Sequence, residues 1–226
     1  MSTRTVLALI GVGRYADPWH PFGDTASPII ELLTAKGIVV ESPPDVDDAL
    51  ARYADPMGEP PALLLVNLGR PTDGDPSPRD ARARVGLRNL IAHSPILAMH
   101  ASANAFEDAP EWEEALGGRW IPGVSWHPPQ SRTRVHLGPD ASRLPGVSAF
   151  ETEDERYLDL RLADDLHVLL EFDDEHGGRA PAMWMRTAGP QPVVYDALGH
   201  DSLAFDDPGH LAALGLAIDA MTQRSS

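Results

Sequence analysis

The chain has 226 residues, of which 42% are hydrophobic and 23% charged, as is typical of globular proteins. Its 34 acidic and 18 basic residues give a formal net charge of −16, which disfavours nucleic-acid partners because it repels their phosphates. Cysteine is absent, so disulfides, thiolate metal sites and cysteine nucleophiles are excluded.

The first hundred residues alternate between apolar runs and helical patterns. The predicted strands are residues 5–10, 38–40, 62–68 and 95–99, and two predicted helices are residues 45–53 and 79–91. A further helix, capped by Thr25 or Ser27 and with Pro28 in its first turn, is predicted before Gly37. This alternation predicts an α/β fold with a mostly parallel sheet and helices on both faces.

The second half of the chain adds further strands. The predicted elements are a short helix at residues 110–116, strands at residues 133–137, 168–172, 182–186 and 193–195, and a final helix opened by Asp207 and Pro208. Charge alone predicts a solvated loop for residues 151–156. We predict one domain over residues 1–222 and a frayed tail at residues 223–226.

Targeting and cofactor motifs are not evident in the sequence. The apolar run at residues 6–10 is too short for a signal-peptide core or a membrane span, so we expect a cytoplasmic protein without a membrane partner. Gly11 and Gly13 are followed by Ala16 where a dinucleotide fingerprint needs a third glycine, and no phosphate-binding loop or GxSxG motif occurs. We therefore expect no nucleotide cofactor.

Four of the nine histidines fall in predicted loops or at a strand end. They are His20, His100, His127 and His200. An isolated histidine is more often structural, and no pair has the spacing of a known metal motif. In a parallel sheet, however, ligands gather beyond the carboxyl ends of the strands, where these imidazoles could converge. Imidazoles together with an Asp or Glu would suit zinc or a similar ion.

Two other residue types bear on the site. The indole faces of Trp112 and Trp184 could stack on sugar rings, but lining and core positions are equally compatible with the sequence. Asp201 follows His200 and could bind a ligand or cap backbone groups in a turn.

Several short motifs follow one another in a fixed order along most of the chain. They are His100-Ala101, Trp112, Leu116-Gly117-Gly118, His127-Pro128, Leu144-Pro145, Asp154-Glu155-Arg156-Tyr157, Val168–Asp173, Pro181 with Trp184, and Tyr195 with Leu198-Gly199-His200-Asp201. In order and spacing they resemble the ThuA-like (trehalose utilisation) family. The sequence departs from the family where a glycine-rich run often precedes the strand-end histidine, since residues 96–99 are Ile-Leu-Ala-Met here.

The resemblance implies a class I glutamine amidotransferase-like, flavodoxin-like fold and a role in carbohydrate metabolism. Glutaminase chemistry is excluded, because it needs a cysteine at the strand-to-helix turn where His100 lies. A sugar isomerase, lyase or hydrolase is the first hypothesis. A non-catalytic module that binds a small ligand is the second, and an assembly subunit with a vestigial pocket is the third.

Under the first hypothesis each candidate residue has an expected role. The catalytic candidates are His100, Glu155 and His200, and His100 or Glu155 would be the base. The substrate-binding candidates are His20, His127, Trp112, Trp184 and Asp201. The metal ligands would be His20, His100 and His200, with Zn or Mn as the ion. The expected partner is a small carbohydrate, and the fold class is compatible with a homo-oligomer.

Overall fold

A computed structural model describes residues 4–55 and 59–222. The strands are β1 Thr5–Ile10, β2 Val39–Glu41, β3 Leu63–Asn67, β4 Ile96–Met99, β5 Gly118–Arg119, β6 Ser131–Leu137, β7 Phe150–Asp154, β8 Arg161–Leu162, β9 His167–Asp173, β10 Arg179–Arg186 and β11 Val193–Asp196. The helices are α1 Phe22–Ala35, α2 Val46–Ala51, α3 Ala81–His93, α4 Pro110–Leu116 and α5 Pro208–Thr222. The predicted frayed tail at residues 223–226 lies outside the described residues.

Nine strands form one sheet in the order β2-β1-β3-β4-β11-β10-β9-β6-β7. The first five are parallel, and the remaining four pair in antiparallel fashion. Numbered among themselves, the parallel strands have the order 2-1-3-4-5, which is found in flavodoxin-like folds. The α/β class is therefore confirmed, and the added antiparallel strands come from the second half, as predicted.

The core lies along the parallel strands. All of the residues in β3, β4 and β11 are buried, so both faces of the sheet are covered there. Helices α1 and α5 pack together, and α2 packs against α3. Within residues 4–55 and 59–222, no helix is both long enough and apolar enough to cross a membrane.

Helix α1 begins at Phe22, earlier than the predicted caps Thr25 and Ser27. Pro28 lies inside the helix, and Asp24 is the acidic residue of the first turn, where the helix dipole favours it. The Thr25 hydroxyl instead accepts a 2.9 Å hydrogen bond from Nδ2 of Asn67 at the end of β3. The prediction was wrong because the proline was taken as a start signal.

Strand β7 occupies part of the segment that was predicted to be a solvated loop. Its residues alternate between buried and exposed, with Phe150, Thr152 and Asp154 facing inward. The two outward glutamates dominate the charge count, but the period of two identifies an edge strand with one buried face. This correction matters because Glu155 directly follows the strand.

Helices α2 and α3 approach closely at Gly86. A Cβ atom built on Gly86 would lie 1.8 Å from the carbonyl oxygen of Leu50. We therefore expect Gly86→Ala to lower the free energy of unfolding by about 1–3 kcal/mol despite its better helix propensity. Urea denaturation should show no such loss for Gly23→Ala in α1, where a Cβ meets nothing within 4 Å. Equal stability of the two variants would contradict the close packing.

Candidate metal centre

Four side chains from distant parts of the sequence converge at the carboxyl-terminal edge of the sheet. His20, His100, Glu155 and His200 each place one nitrogen or oxygen atom within 4.8 Å of the others. His20 lies in the loop after β1, and His100 directly follows β4. Glu155 directly follows β7, and His200 lies beyond β11. The three histidines are those predicted as metal ligands, and Glu155 joins them.

The His20 imidazole is oriented by Asp17. The Asp17 carboxylate accepts a hydrogen bond of 2.8 Å from Nδ1 of His20, and also accepts the backbone N–H groups of Trp19 and His20. With Nδ1 as donor, the lone pair is on Nε2, which has no hydrogen-bond partner among the described residues. Burial lowers the pKa of His20 more than Asp17 raises it, which favours the neutral form that binds metals.

The His100 imidazole is held by the backbone of the neighbouring strand end. Its Nδ1 lies 2.6 Å from the carbonyl oxygen of Ala197, so Nδ1 carries the proton. The buried Nε2 has no hydrogen-bond partner in the described part of the chain. The residue has a φ of 33°, which is uncommon for a side chain larger than glycine. Such strain persists where the surroundings hold it, and here the Tyr195 hydroxyl donates to the His100 carbonyl at 2.8 Å.

A buried carboxylate positions the other two members of the cluster. Asp154 accepts hydrogen bonds from the backbone N–H groups of Glu155, Gly199 and His200, at 2.8, 2.7 and 3.1 Å. Gly199 has a φ of 113°, a conformation that L side chains rarely adopt. Asp154 therefore ties the end of β7 to the turn after β11 and brings Glu155 and His200 together.

Glu155 lies at the centre of the cluster. Its Oε2 is 3.2 Å from Nδ1 of His200 and 3.7 Å from Nε2 of His100, and its Oε1 is 3.4 Å from Nδ1 of His127. Burial raises the pKa of Glu155, but the neighbouring His100 and His200 outweigh it, so the carboxyl group is ionised. Glu155 in turn raises the pKa of His200.

The geometry is compatible with a mixed imidazole and carboxylate metal site. Three ring nitrogens, which form no hydrogen bond with any residue that the structure describes, face one ionised carboxylate: His20 Nε2, His100 Nε2 and His200 Nδ1. Ligand atoms around a tetrahedral ion with bonds of about 2.0–2.2 Å lie roughly 3.3–3.6 Å apart. The distances from Glu155 to His200 and His100 are close to that spacing. Small side-chain movements would complete the coordination.

The cluster opens into a cavity of about 1040 Å³. Besides members of the cluster, its lining includes Trp19, Arg70, Asn104, Glu107, Trp120, His127 and Tyr157. Trp19 is 68% exposed, so its indole is available to a ligand. Trp19, Arg70, Trp120 and Tyr157 were not among the residues predicted for the site from the sequence. The signal that could have identified Trp19 and Arg70 is their place in loops directly after parallel strands.

Three predicted substrate-binding residues do not line this cavity. Trp112 and Trp184 are fully buried, and their indole N–H groups donate to the carbonyls of Ser102 and Leu116. Both tryptophans therefore fill the core, which corrects their predicted lining role. Asp201 caps the turn that follows it and accepts a hydrogen bond from Gln130. His127, in contrast, lies at the cavity beside Glu155.

The contact between Asp17 and His20 can be tested by changing the carboxylate. We expect Asp17→Asn to weaken zinc binding by about 10–100-fold, because the amide no longer orients His20 as strongly or makes it as basic. Titration with a chromophoric chelator would measure this. Asp174→Asn is a matched control, since Asp174 also accepts two backbone N–H groups but lies away from the cluster. Equal zinc affinities in both variants would refute the role of Asp17.

Comparisons with known proteins identify relatives of the fold. No protein-family model matches the sequence, and no curated protein matches it either. A solved structure from Parabacteroides merdae, described as ThuA-like, has a TM-score of 0.76 and 14% identity, over 98% of this chain and 91% of its own. A ThuA-like protein from Bacteroides uniformis has a TM-score of 0.68 and 15% identity, over 95% of this chain and 89% of its own.

A β-galactosidase from Rahnella sp. R3 has a TM-score of 0.60 and 14% identity. The match covers 99% of this chain but only 32% of the β-galactosidase. At such identities these likenesses establish a shared fold. The two ThuA-like structures therefore confirm the resemblance to ThuA-like proteins at the level of the fold.

Proposed function

Starting from the fold that this chain shares with ThuA-like proteins, we propose that it is a metal-dependent enzyme of carbohydrate metabolism. One observation carries the proposal: three buried imidazole nitrogens, which form no hydrogen bond with any described residue, face an ionised glutamate beside a large cavity. Groups that are both buried and unpaired are costly in a folded protein, so a ligand for them is the simplest physical explanation.

The finer assignment of the scaffold is class I glutamine amidotransferase-like. The 2-1-3-4-5 order of the parallel strands supports it. So does the strained His100 at the end of β4, where an amidotransferase would carry its cysteine. In this proposal the scaffold keeps the ligand-binding edge of the sheet and has an imidazole where the nucleophile would be.

The residues suit a divalent ion. Three imidazoles favour zinc, and the carboxylate of Glu155 also suits manganese. Such an ion would polarise a carbonyl group of the substrate or make a hydroxyl group of the substrate more acidic. His20, His100, His200 and Glu155 would then be ligands. The role of base, which the sequence predicted for His100 or Glu155, would then pass to His127, which lies beside Glu155 and is partly exposed to the cavity.

The lining of the cavity supports a carbohydrate substrate. Sugars present apolar C–H faces together with many hydroxyl groups. The indoles of Trp19 and Trp120 offer flat apolar surfaces, and Asn104 and Glu107 offer hydrogen-bonding groups. Aromatic surface combined with a few polar groups is typical of sites that bind small molecules.

A turnover assay tests this proposal. The protein would be stripped with a chelator, reloaded with zinc or manganese, and incubated with keto-sugars and glycosides while products are followed by NMR. We expect conversion only with metal, loss of conversion in Glu155→Gln, and normal conversion in His93→Ala, whose imidazole is exposed at the end of α3. Saturable sugar binding without product would overturn the enzymatic role in favour of a binding module.

A further inference from the structure

We infer that the substrate carries a negatively charged group, a carboxylate or a phosphate, and that Arg70 binds it. This inference rests on the proposed function and names the class of substrate more narrowly. It derives from the position of Arg70, from its lack of an ionic partner, and from the charges around the cavity.

The topology places Arg70 at the cavity into which the cluster opens. Four neighbouring parallel strands, β1, β3, β4 and β11, each lead into a segment that lines the cavity or belongs to the cluster. After β1, β4 and β11 these segments supply His20, His100 and His200. After β3, the segment supplies Arg70, three residues beyond the end of the strand.

The loop that carries Arg70 passes beside the residue that orients His20. A Cβ atom on the preceding Gly69 would lie 3.5 Å from Oδ2 of Asp17. The loop is also held in place, because the backbone N–H of Thr72 donates to the Arg14 carbonyl at 2.8 Å. Arg70 is therefore presented from an anchored segment, which reduces the entropy lost when it binds a ligand.

Arg70 has no ionic partner within residues 4–55 and 59–222, although the chain has a large excess of acidic residues. Asp73, one of the two acidic residues of its loop, is paired with Arg14 at 2.9 Å and with Arg79 at 3.3 Å. Arg70 itself is exposed and forms neither an ion pair nor a hydrogen bond with any described residue. Its guanidinium is thus free to bind a ligand in the cavity.

Two of the three carboxylates that line the cavity are already engaged. Asp17 is bonded to His20, and Glu155 belongs to the metal cluster. The third, Glu107, is exposed and contributes one negative charge to the cavity. A divalent ion would add two positive charges to the base of the cavity. A guanidinium binds carboxylate or phosphate with two parallel hydrogen bonds, so the ion and Arg70 together favour an anionic sugar.

Calorimetric titration of the zinc-loaded protein tests the inference with four probes. They are D-glucuronate, D-glucose 6-phosphate, D-glucose and inorganic phosphate. We expect one of the two anionic sugars to bind at least about tenfold more tightly than glucose, and Arg70→Gln to remove that preference. Tighter binding of glucuronate would identify a carboxylate, and tighter binding of glucose 6-phosphate or of phosphate alone would identify a phosphate.

Arg134→Gln is the matched control. Arg134 is an exposed arginine of β6 that also lacks an ion pair among the described residues, and it lies outside the cavity. This variant should keep the preference for the anionic sugar. The same probes applied to the metal-free protein separate Arg70 from the ion, because the effect of Arg70→Gln should persist there.

Three results would overturn the inference. They are equal affinity for glucose and both anionic sugars, an unchanged preference in Arg70→Gln, and no binding of any probe to a protein that binds zinc normally. None of these three results would contradict the proposed metal centre. Failure of the wild-type protein to bind zinc would instead refute the proposed function.

Discussion

Replacement of His200 by alanine is expected to lower the affinity for zinc by at least about 100-fold. Loss of a direct ligand should cost more than loss of a residue that only orients a ligand, for which about 10–100-fold is typical. His200 is the best position for this test because it is only partly buried, whereas His100 also supports the backbone around it. Competition with a chelator of known affinity would measure the loss.

Two controls separate this effect from loss of the fold. His93→Ala removes an exposed imidazole outside the cluster and should leave zinc affinity unchanged. Circular dichroism of His200→Ala should match that of the wild-type protein. Unchanged zinc affinity in a folded His200→Ala variant would contradict the proposed ligand set.

Replacement of His210 by alanine is expected to lower the free energy of unfolding by about 3–5 kcal/mol. This histidine is fully buried, and its Nε2 lies 2.6 Å from Oδ2 of the buried Asp196. Its Nδ1 lies 2.7 Å from the carbonyl oxygen of Ala204. Both ring nitrogens face acceptors, so the imidazolium form satisfies both. Alanine would leave a buried carboxylate without its counter-charge, as urea denaturation would show.

The same pair gives stability a definite dependence on pH. Burial lowers the pKa of His210, but the neighbouring Asp196 carboxylate outweighs it and raises this pKa above its usual value. The stabilisation is therefore complete below about pH 6.5, the pKa in the unfolded chain, and is lost as the pH rises through the higher folded value. The negative charge of Asp154 also raises the pKa of His210.

Asp196→Asn is the matched variant for this pair. The asparagine amide can donate to a neutral His210 at Nε2, while Nδ1 keeps its bond to Ala204. We expect a smaller loss of stability than in His210→Ala, and a weaker decline in stability between pH 6 and pH 9 than in the wild-type protein. A parallel decline in both proteins would show that the pair does not carry the pH dependence.

The sequence predicted the fold and the histidine cluster for a physical reason. Unbroken apolar runs such as β1 and β3 are typical of strands covered on both faces, and alternation with helices predicts that they are parallel. Since the carboxyl ends of parallel strands meet at one edge, His20, His100 and His200 could be placed together without a contact map. The ring nitrogens that face inward could not be predicted, because they depend on contacts with Asp17 and Ala197.

The errors come from residues whose type is compatible with two environments. Trp112 and Trp184 could have lined a cavity or filled the core, and only the packing of α4 and β10 decides for the core. Arg70 was missed because an arginine in an irregular loop is ordinary in an acidic chain. Its significance appears only when its neighbours prove to be paired with other groups.

The metal content of the purified, tag-free protein tests the central claim most directly. The protein would be dialysed against zinc or manganese and then against metal-free buffer, and analysed by inductively coupled plasma mass spectrometry. We predict that about one ion is retained per chain, because preoriented imidazoles and an ionised carboxylate hold it. A protein that is folded and yet retains neither metal would contradict the metal centre, and the cluster would then be an acid–base or purely binding site.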